Sequence, residues 1–321
     1  MRSFIINSND AGQRVDKFIT KALPRLPQPL LYKYIRLKRI KLNRKRCEIS
    51  THLNEGDVLD MYINDEFFSD VALQCEFKLA PTTLDIVYED KNILLVNKKP
   101  GLVVHEDESG QADTLINRIQ HYLFDKGEYN PDEEHSFAPA LCNRIDRNTG
   151  GIVIAAKNAA TLRVLNQKIK DRELTKRYLA VIHGTLEKKS ATLEAYLAKD
   201  STENKVTVTK YKTPENKIIR TKYRVLAENP RFSLIEVDLL TGRTHQIRAH
   251  FAFIGHPLLG DTKYGFARDN KGTNYKYQAL YSHKLIFNFI TDAGHLGYLN
   301  GKEFYVEKVW FAEDFMNGKI I

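Results

Sequence analysis

The feature that most constrains the fold is a series of β-strand patterns in the second half of the chain. Four segments there are rich in β-branched and aromatic side chains: residues 178–184, 205–211, 218–226 and 232–240. Such side chains favour the pleated, half-buried surface of a sheet. Upstream, an apolar run at 152–157 precedes a helical spacing over 158–171, with Asn158 as the expected N-cap. We predict an α+β fold whose larger part is a strand-rich, mixed or antiparallel sheet with flanking helices.

The first 70 residues predict a second, smaller α+β unit. Apolar residues from Val15 to Leu23 have a helical spacing, prolines follow, and a second helical pattern leads into short strand-like pieces. A chain of 321 residues is long enough for two hydrophobic cores. We therefore expect one domain at 1–70, a linker at 71–84 where the periodicity is lost, and a second domain at 85–321.

Positive charge is concentrated in the smaller unit. Residues 1–60 hold 13 Lys and Arg against 6 Asp and Glu, a net charge of +7 out of +9 for the whole chain. The stretch from Lys33 to Arg46 contains eight basic residues and no acid. Such a block attracts a polyanion through the release of condensed counterions, although a charge run taken alone is more often a solvated surface. Both interpretations stay open at this point.

The pattern of residues 12–63 resembles the α-L RNA-binding domain first described in a small-subunit ribosomal protein. The matching elements are Arg14-Val15-Asp16, a helix over Lys33–Arg39, a strand over Ile40–Arg44 and the late Gly56-Asp57. Arg44 stands where that family usually has Gly. The resemblance implies that this unit binds RNA. The residues expected to contact RNA are Lys33, Arg36, Lys38, Arg39, Lys41 and Arg44.

Cysteine usage and hydropathy exclude several classes of protein. The three cysteines, Cys47, Cys75 and Cys142, are odd in number, widely spaced and include no CxxC pair. This usage is typical of a reducing compartment and offers no thiolate site for zinc. No run approaches the ~18 apolar residues of a membrane span, and the N-terminal residues lack the pattern of a secretory signal. We expect a cytoplasmic protein that binds neither a membrane nor a metal.

Residues 141–157 place charged groups directly before an apolar strand. Arg144, Asp146 and Arg147 precede the pair Gly150-Gly151. A carboxylate between arginines is compatible with a structural salt bridge or with catalysis, and spacing alone does not separate the two.

This segment resembles the catalytic motif of the RluA-type pseudouridine synthases. The usual form of that motif is His-Arg-Leu-Asp, two variable residues, Thr-Ser-Gly and a strand ending in Ala-Lys. The matching residues are Arg144, Asp146, Thr149, Gly151 and Ala156-Lys157. Asn143 replaces His, Ile145 replaces Leu and Gly150 replaces Ser, and these departures bear on substrate preference.

Other motifs of the same family follow in the same order. They are Lys99-Pro100-Gly101 with His105, Lys176-Arg177-Tyr178 with Ala180 and Gly184, the run from Thr241 to His250 (TGRTHQIRAH), and the run from Gly255 to Asp261 with Tyr264-Gly265. The ordered motifs span residues 93–265. Together they are far more specific than any one of them.

The resemblance implies a role for each site residue in converting uridine to pseudouridine. Asp146 is the catalytic carboxylate, Arg248 its basic partner, Tyr178 a stacking platform for uracil and Ile247 an apolar wall. Arg144 matches the arginine that enters the space left by a flipped-out base. We expect no cofactor and no metal, and a monomer that acts on RNA, with ribosomal RNA favoured and transfer RNA second. The rivals are a non-catalytic RNA-binding factor and a hydrolase that releases free uracil.

Overall fold

The computed structural model describes residues 1–68, 72–106, 110–200, 205–265, 270 and 274–320. The N-terminal unit contains β1 (Arg2–Ile5), α1 (Val15–Ala22), α2 (Gln28–Arg36), β2 (Ile40–Leu42), β3 (Lys45–Arg46) and β4 (Val58–Met61). Its four strands form one antiparallel sheet in the order β1-β4-β2-β3. The helices cover this sheet, and an apolar cluster that runs from Ile6 to Phe68 fills the space between them. The predicted small α+β unit is confirmed.

Two details of this unit differ from the predicted pattern. Helix α2 ends at Arg36, three residues before the expected Arg39, because Lys38 adopts a left-handed backbone conformation at φ 60°. The strand expected up to Arg44 ends at Leu42. Asn43 and Arg44 form a two-residue turn with φ values of 51° and 63°, so Arg44 takes the left-handed geometry that glycine usually supplies.

The second unit is built on an eleven-stranded sheet. In chain order its elements are β5 (Ile86–Glu89), β6 (Ile93–Lys98), α3 (Leu115–Asp125), β7 (Ala140–Leu141), β8 (Gly150–Ala156), α4 (Ala159–Lys170), β9 (Leu174–His183), β10 (Ser190–Asp200), β11 (Lys205–Thr209), β12 (Lys217–Glu228), β13 (Phe232–Leu239), α5 (Gln246–Phe253), β14 (Leu280–Phe287), β15 (Glu303–Tyr305) and α6 (Trp310–Met316). The strand order is β11-β10-β12-β13-β9-β14-β8-β6-β5, with β7 beside β8 and β15 beside β14. The predicted strand-rich α+β fold is confirmed.

Strand β14 joins the two halves of this sheet. It pairs antiparallel with β9 on one side and parallel with β8 on the other, through Tyr281 opposite Gly150 and Ser282 opposite Gly151. All other pairings between the described strands of this sheet are antiparallel. The junction places the start of β8, and the turn that precedes it, in the middle of the sheet.

Helices pack on the sheet around the main core. Asn158 caps α4 as predicted, because its Oδ1 accepts a hydrogen bond from the Thr161 N–H at 2.9 Å. Helix α5 lies over β10–β12 and contributes Ile247 and Phe251 to the largest apolar cluster. No helix in the described ranges has the length and apolar character that crossing a membrane requires.

The connection between the units is packed rather than extended. Residue 71 of the expected linker lies outside the described residues, but Ala72–Leu79 form a 3-10 helix. Phe77 on this helix is 3% exposed and contacts Phe124 and Tyr129 of the large unit. The linker residues around Phe77 therefore belong to the core of the larger unit.

The two units also meet at a polar interface. The loop at 125–136, which its composition predicts to be exposed, is exposed over its first four residues but packs on the N-terminal unit in its second half. Asn9 Nδ2 donates to Glu134 Oε1 at 2.6 Å, and Ser136 Oγ donates to Asp10 Oδ1 at 2.6 Å. Asp10 is fully buried in this contact. These hydrogen bonds hold the N-terminal unit in a defined position on the larger one.

Candidate active site

Asp146 lies in a tight turn that leads into β8. The Thr149 N–H donates to the Asp146 carbonyl at 3.0 Å, and the buried Gln278 side chain donates to the Thr149 hydroxyl at 3.1 Å. The Asp146 side chain is 24% exposed. The turn therefore presents a carboxylate to solvent from a rigid position at the centre of the sheet.

Arg248 on α5 is the partner of this carboxylate. Its Nη1 donates to Asp146 Oδ2 at 2.8 Å, while Nε and Nη2 form a two-point contact with Asp261 at 2.7 and 3.0 Å. Asp261 is fully buried, and although burial raises its pKa, the hydrogen bonds and charge of Arg248 hold that pKa below its ordinary value. Burial likewise opposes the charge on Arg248, but its two carboxylate partners raise its pKa. The guanidinium stays cationic and is fixed in one orientation toward Asp146.

Tyr178 and Ile247 form the apolar side of the site. Both are buried, at 6% and 3% exposure, and belong to one cluster with Ile145. Burial raises the pKa of the Tyr178 phenol to about 12, with a smaller contribution from the charge of Asp146 and an opposing hydrogen bond to Ser282. The phenol is thus neutral at physiological pH and keeps a proton to donate. The structure brings Asp146, Tyr178, Ile247 and Arg248 close together.

Lys98, which was not predicted as a site residue, ties the turn that carries Asp146 to β6. Lys98 is 1% exposed, and its Nζ donates to the carbonyls of Lys99, Leu102 and Arg147 at 3.0, 2.8 and 2.8 Å. Burial lowers its pKa to about 7, opposed by the charge of Asp146. Three carbonyl acceptors match the three N–H groups of an ammonium. The available signal was a lysine at the end of a strand that begins with four apolar residues (ILLVNK).

His245 and Tyr264 lie in the quoted motifs but were not predicted as site residues, and the structure places them near the same carboxylate. His245 Nε2 lies 3.8 Å from Asp146 Oδ2, and His245 Nδ1 is 2.8 Å from the Tyr264 hydroxyl. The Tyr264 ring also lies beside the Arg248 guanidinium, with 5.2 Å between Cζ and the ring centroid. His245 adopts φ 52°, an uncommon conformation for a non-glycine residue that is concentrated at functional sites. Burial lowers the pKa of the His245 imidazole, and the charge of Asp146 opposes this shift.

The structure gives a role to each departure from the usual motif. The Asn143 Oδ1 accepts a hydrogen bond from the Ile154 N–H at 2.8 Å, which ties the turn to β8. Ile145 is buried beside Ile247. Gly150 leaves room for the Tyr281 ring, which would overlap any Cβ at position 150. The departures are therefore adapted to local packing.

Arg144 differs from the other site residues because it is exposed. Among the described residues it makes no hydrogen bond or ion pair, and its charge adds to burial in lowering the pKa of His105.

In the ranges that the structure covers, no three His, Cys, Asp or Glu side chains gather as metal ligands. The basic residues of the N-terminal unit lie on its surface: Lys33, Arg36, Lys38, Arg39 and Arg44 are exposed and Lys41 is half-buried. Arg39 and Lys41 lie over the rings of Tyr34 and Tyr62.

Comparison with protein families shows which family this chain belongs to. The family model described as RNA pseudouridylate synthase matches residues 92–253, which include Asp146, Tyr178 and Arg248. The chain is a member of the RNA pseudouridylate synthase family. It is therefore an isomerase that converts uridine in RNA to pseudouridine.

Several pseudouridine synthases align with this one over most of their length. An uncharacterized RNA pseudouridine synthase of Mycoplasma genitalium is 33% identical over 303 residues, 88% of each chain. The ribosomal large subunit pseudouridine synthase C of Buchnera aphidicola is 30% identical over 300 residues, covering 89% of this chain and 88% of that protein. Among solved structures, human RNA pseudouridylate synthase domain containing 4 has a TM-score of 0.58 at 18% identity, over 77% of this chain and 97% of the other. That likeness shows a shared fold.

Proposed function

We propose that this pseudouridine synthase modifies uridine in structured RNA, with large-subunit ribosomal RNA as the favoured substrate and transfer RNA as the second. The observation that carries the catalytic assignment is the Asp146 carboxylate, partly exposed and fixed by Arg248 at 2.8 Å. Relatives named as ribosomal large subunit synthases, at 29–30% identity, support ribosomal RNA as substrate.

In the proposed reaction, Asp146 acts on the ribose of the target nucleotide. Either the carboxylate attacks the anomeric carbon and expels uracil, or it removes the proton of the neighbouring ribose carbon. In both routes the N-glycosidic bond breaks, the detached uracil turns, and carbon-5 bonds to the anomeric carbon while its proton leaves. Arg248 orients the carboxylate, Tyr178 stacks on the base and supplies a phenol, and Ile247 closes the apolar side.

The target base reaches this site by leaving its stack, at a cost of a few kcal/mol. Arg144 is exposed, lies two residues before Asp146 and has no hydrogen bond or ion pair among the described residues, which supports a role in filling the gap that the base leaves. We further propose that residues 1–70 form an α-L type RNA-binding domain, that 71–84 link the domains and that 85–321 catalyse the reaction as a monomer. The exposed cations of this domain support phosphate contacts; they are Lys33, Arg36, Lys38, Arg39 and Arg44.

Tritium release from RNA labelled at uracil carbon-5 tests the catalytic role of Asp146. Asp146→Asn keeps the shape of the side chain and removes its negative charge, so we expect no tritium release above background. RNA affinity should stay within a few-fold, because phosphate contacts dominate it. Substantial release by the Asn variant would show that another group carries out the chemistry.

Mapping of pseudouridines in cells with and without the gene identifies the substrate. Loss of one or more sites in large-subunit ribosomal RNA supports the proposal, and loss confined to transfer RNA replaces it with the second candidate. Free uracil among the products in vitro would instead indicate a hydrolase. Binding without isomerisation would indicate an RNA-binding factor.

A further inference from the structure

A second concentration of positive charge lies far from the N-terminal block. Residues 205–224 contain seven Lys and Arg and a single acid, Glu215. Arg220 and Arg224 are paired with Glu194 and Glu236. The other cations are Lys205, Lys210, Lys212, Lys217 and Lys222; all are exposed, and among the described residues none has a carboxylate within ion-pair distance. Lys222 lies opposite Asp238 on β13, and Lys205 lies opposite Asp200 on β10. The three lysines at 210–217 therefore carry most of the positive charge that no carboxylate among the described residues offsets.

The loop between β11 and β12 also presents an aromatic side chain. Tyr211 is 79% exposed and lies between Lys210 and Lys212. The loop is held rigid by Asn216, which is 8% exposed: its Nδ2 donates to the Tyr211 carbonyl at 2.9 Å and its Oδ1 accepts from the Thr213 N–H at 2.9 Å. Because the Tyr211 ring is exposed, it adds no buried apolar surface to the fold. Because the loop is fixed, the ring is already held in position for another ring to stack on it.

Strand β11 connects this loop to the active site. The Val206 N–H donates to the Tyr264 hydroxyl at 3.0 Å, and the Lys205 ammonium lies 6.0 Å from the centre of the Tyr264 ring. Tyr264 in turn contacts His245 and Arg248. The five residues of β11 span roughly 13 Å at ~3.3 Å per residue, and β11 is the edge strand of the sheet. Lys205 thus places one cation at the rim of the site, and Lys210 places the next at the far end of β11, beside Tyr211.

We propose that the β11 edge and the loop at 210–217 bind the RNA strand that flanks the target uridine. Phosphates contact Lys205, Lys210, Lys212 and Lys217, and one flanking base stacks on Tyr211. A groove or edge that combines cations with an aromatic face is the arrangement by which proteins hold a single strand without reading its sequence. The proposal rests on the proposed function, since it takes the RNA to be the molecule that enters the site beside Asp146. It differs from the N-terminal basic block, which lies in another unit.

The charge contribution is tested with a triple variant, Lys210→Gln, Lys212→Gln and Lys217→Gln. A matched control, Lys91→Gln, Lys188→Gln and Lys308→Gln, removes the same charge from exposed lysines outside the surface. Affinity for a 12-nucleotide oligouridine is measured across a salt series. Each lost contact with a single-strand phosphate should flatten the log–log salt slope by ~0.7, so we expect a change of about 2 for the triple variant and little for the control. Equal slopes for the two variants would overturn the proposal.

The stacking role is tested separately at Tyr211. Tyr211→Ala should weaken oligouridine binding by roughly 5- to 150-fold, the usual effect of losing one base–aromatic stack. Tyr211→Phe keeps the ring and should bind within about twofold of wild type, which separates stacking from a hydroxyl contact. Equal affinity of Tyr211→Ala and wild type would remove Tyr211 from the surface.

Turnover distinguishes a failure of this inference from a failure of the proposed function. The substrate is carbon-5-tritiated ribosomal RNA from cells that lack the gene. We expect the lysine triple variant to raise KM several-fold with little change in kcat, because Asp146, Tyr178 and Arg248 are untouched. If wild-type enzyme releases no tritium, the proposed substrate is wrong. If wild type is active and the triple variant keeps the KM of the control, the surface does not bind RNA.

Discussion

Returning Gly150 to the serine that is usual in this family should destabilise the protein. A Cβ at this position would overlap Cδ2 and Cε2 of Tyr281, so the ring would have to move. In its present place the ring packs edge-to-face on Trp310, with 5.5 Å between centroids, and its hydroxyl donates to Asn97 Oδ1. Losing the ring contact costs ~0.5–1.5 kcal/mol and losing the hydrogen bond costs a similar amount. We expect Gly150→Ser to lower the free energy of unfolding by about 1–3 kcal/mol, the usual range for overpacking.

A double-mutant cycle monitored by thermal unfolding tests this reasoning. For a unit of this size the Tm should fall by about 2–4 °C per kcal/mol. In a Tyr281→Ala background the ring no longer overlaps the serine, and only the contact with Pro100 Cδ at 3.2 Å remains tight, so adding the serine should cost clearly less than in wild type. Tyr281→Phe is the matched control, because it removes the hydroxyl but keeps the ring, so the serine should remain destabilising. An equal cost of Gly150→Ser in the Tyr and Ala backgrounds would refute the steric argument.

Three further substitutions test the site itself. Arg144→Ala should slow turnover more on a base-paired target than on an unstacked one, measured by single-turnover tritium release; an equal defect on both substrates contradicts a gap-filling role. Tyr178→Phe keeps the stacking ring and loses the hydroxyl, whose pKa is raised to about 12. A large fall in kcat at unchanged KM assigns the hydroxyl to proton transfer, whereas full activity shows that it has no such role. Lys98 has a pKa of about 7 in the folded protein against 10.5 in the unfolded chain, so the unfolded state binds more protons between these pH values. The free energy of unfolding of wild type should therefore rise relative to that of Lys98→Met as the pH goes from 7 to 9, by at most ~1.4 kcal/mol per pH unit. Chemical denaturation at each pH measures this difference, and a stability difference that is flat or falls with pH contradicts a buried, destabilised ammonium.

The residues that ordered motifs contain could be found from the sequence. Asp146, Arg248 and Tyr178 stand in motifs that fix both residue type and order, and the structure brings them within one site. The strands could also be found, because β-branched alternation is a local property of the sequence. The N-cap Asn158 could be found for the same reason, since a cap depends on its immediate neighbours.

What depends on tertiary contact could not be found in this way. Lys98 looks like one of two adjacent surface lysines, and only the fold shows that its ammonium is enclosed by three carbonyls. The reason for Gly150 lies in Tyr281, 131 residues further along the chain. The docking of Asp10 against Ser136 is equally invisible, because polar residues in a loop read as solvated. The positive charge at 205–224 is visible in the sequence, but the net charge summed over all residues after 60 does not reveal it, because acidic residues elsewhere in that segment offset it.

The central position of β14 has a consequence for how the enzyme is made. Synthesis proceeds from the N-terminus at ~5–20 residues per second, so the strands from β5 to β13 leave the ribosome before Leu280–Phe287 exist. Until then β8 and β9 are open edges, and each exposes unpaired backbone groups that attract other strands. The nascent chain therefore passes through a stage with two unjoined half-sheets, when it depends most on chaperones. A message truncated before codon 280 would leave the protein permanently in that aggregation-prone state.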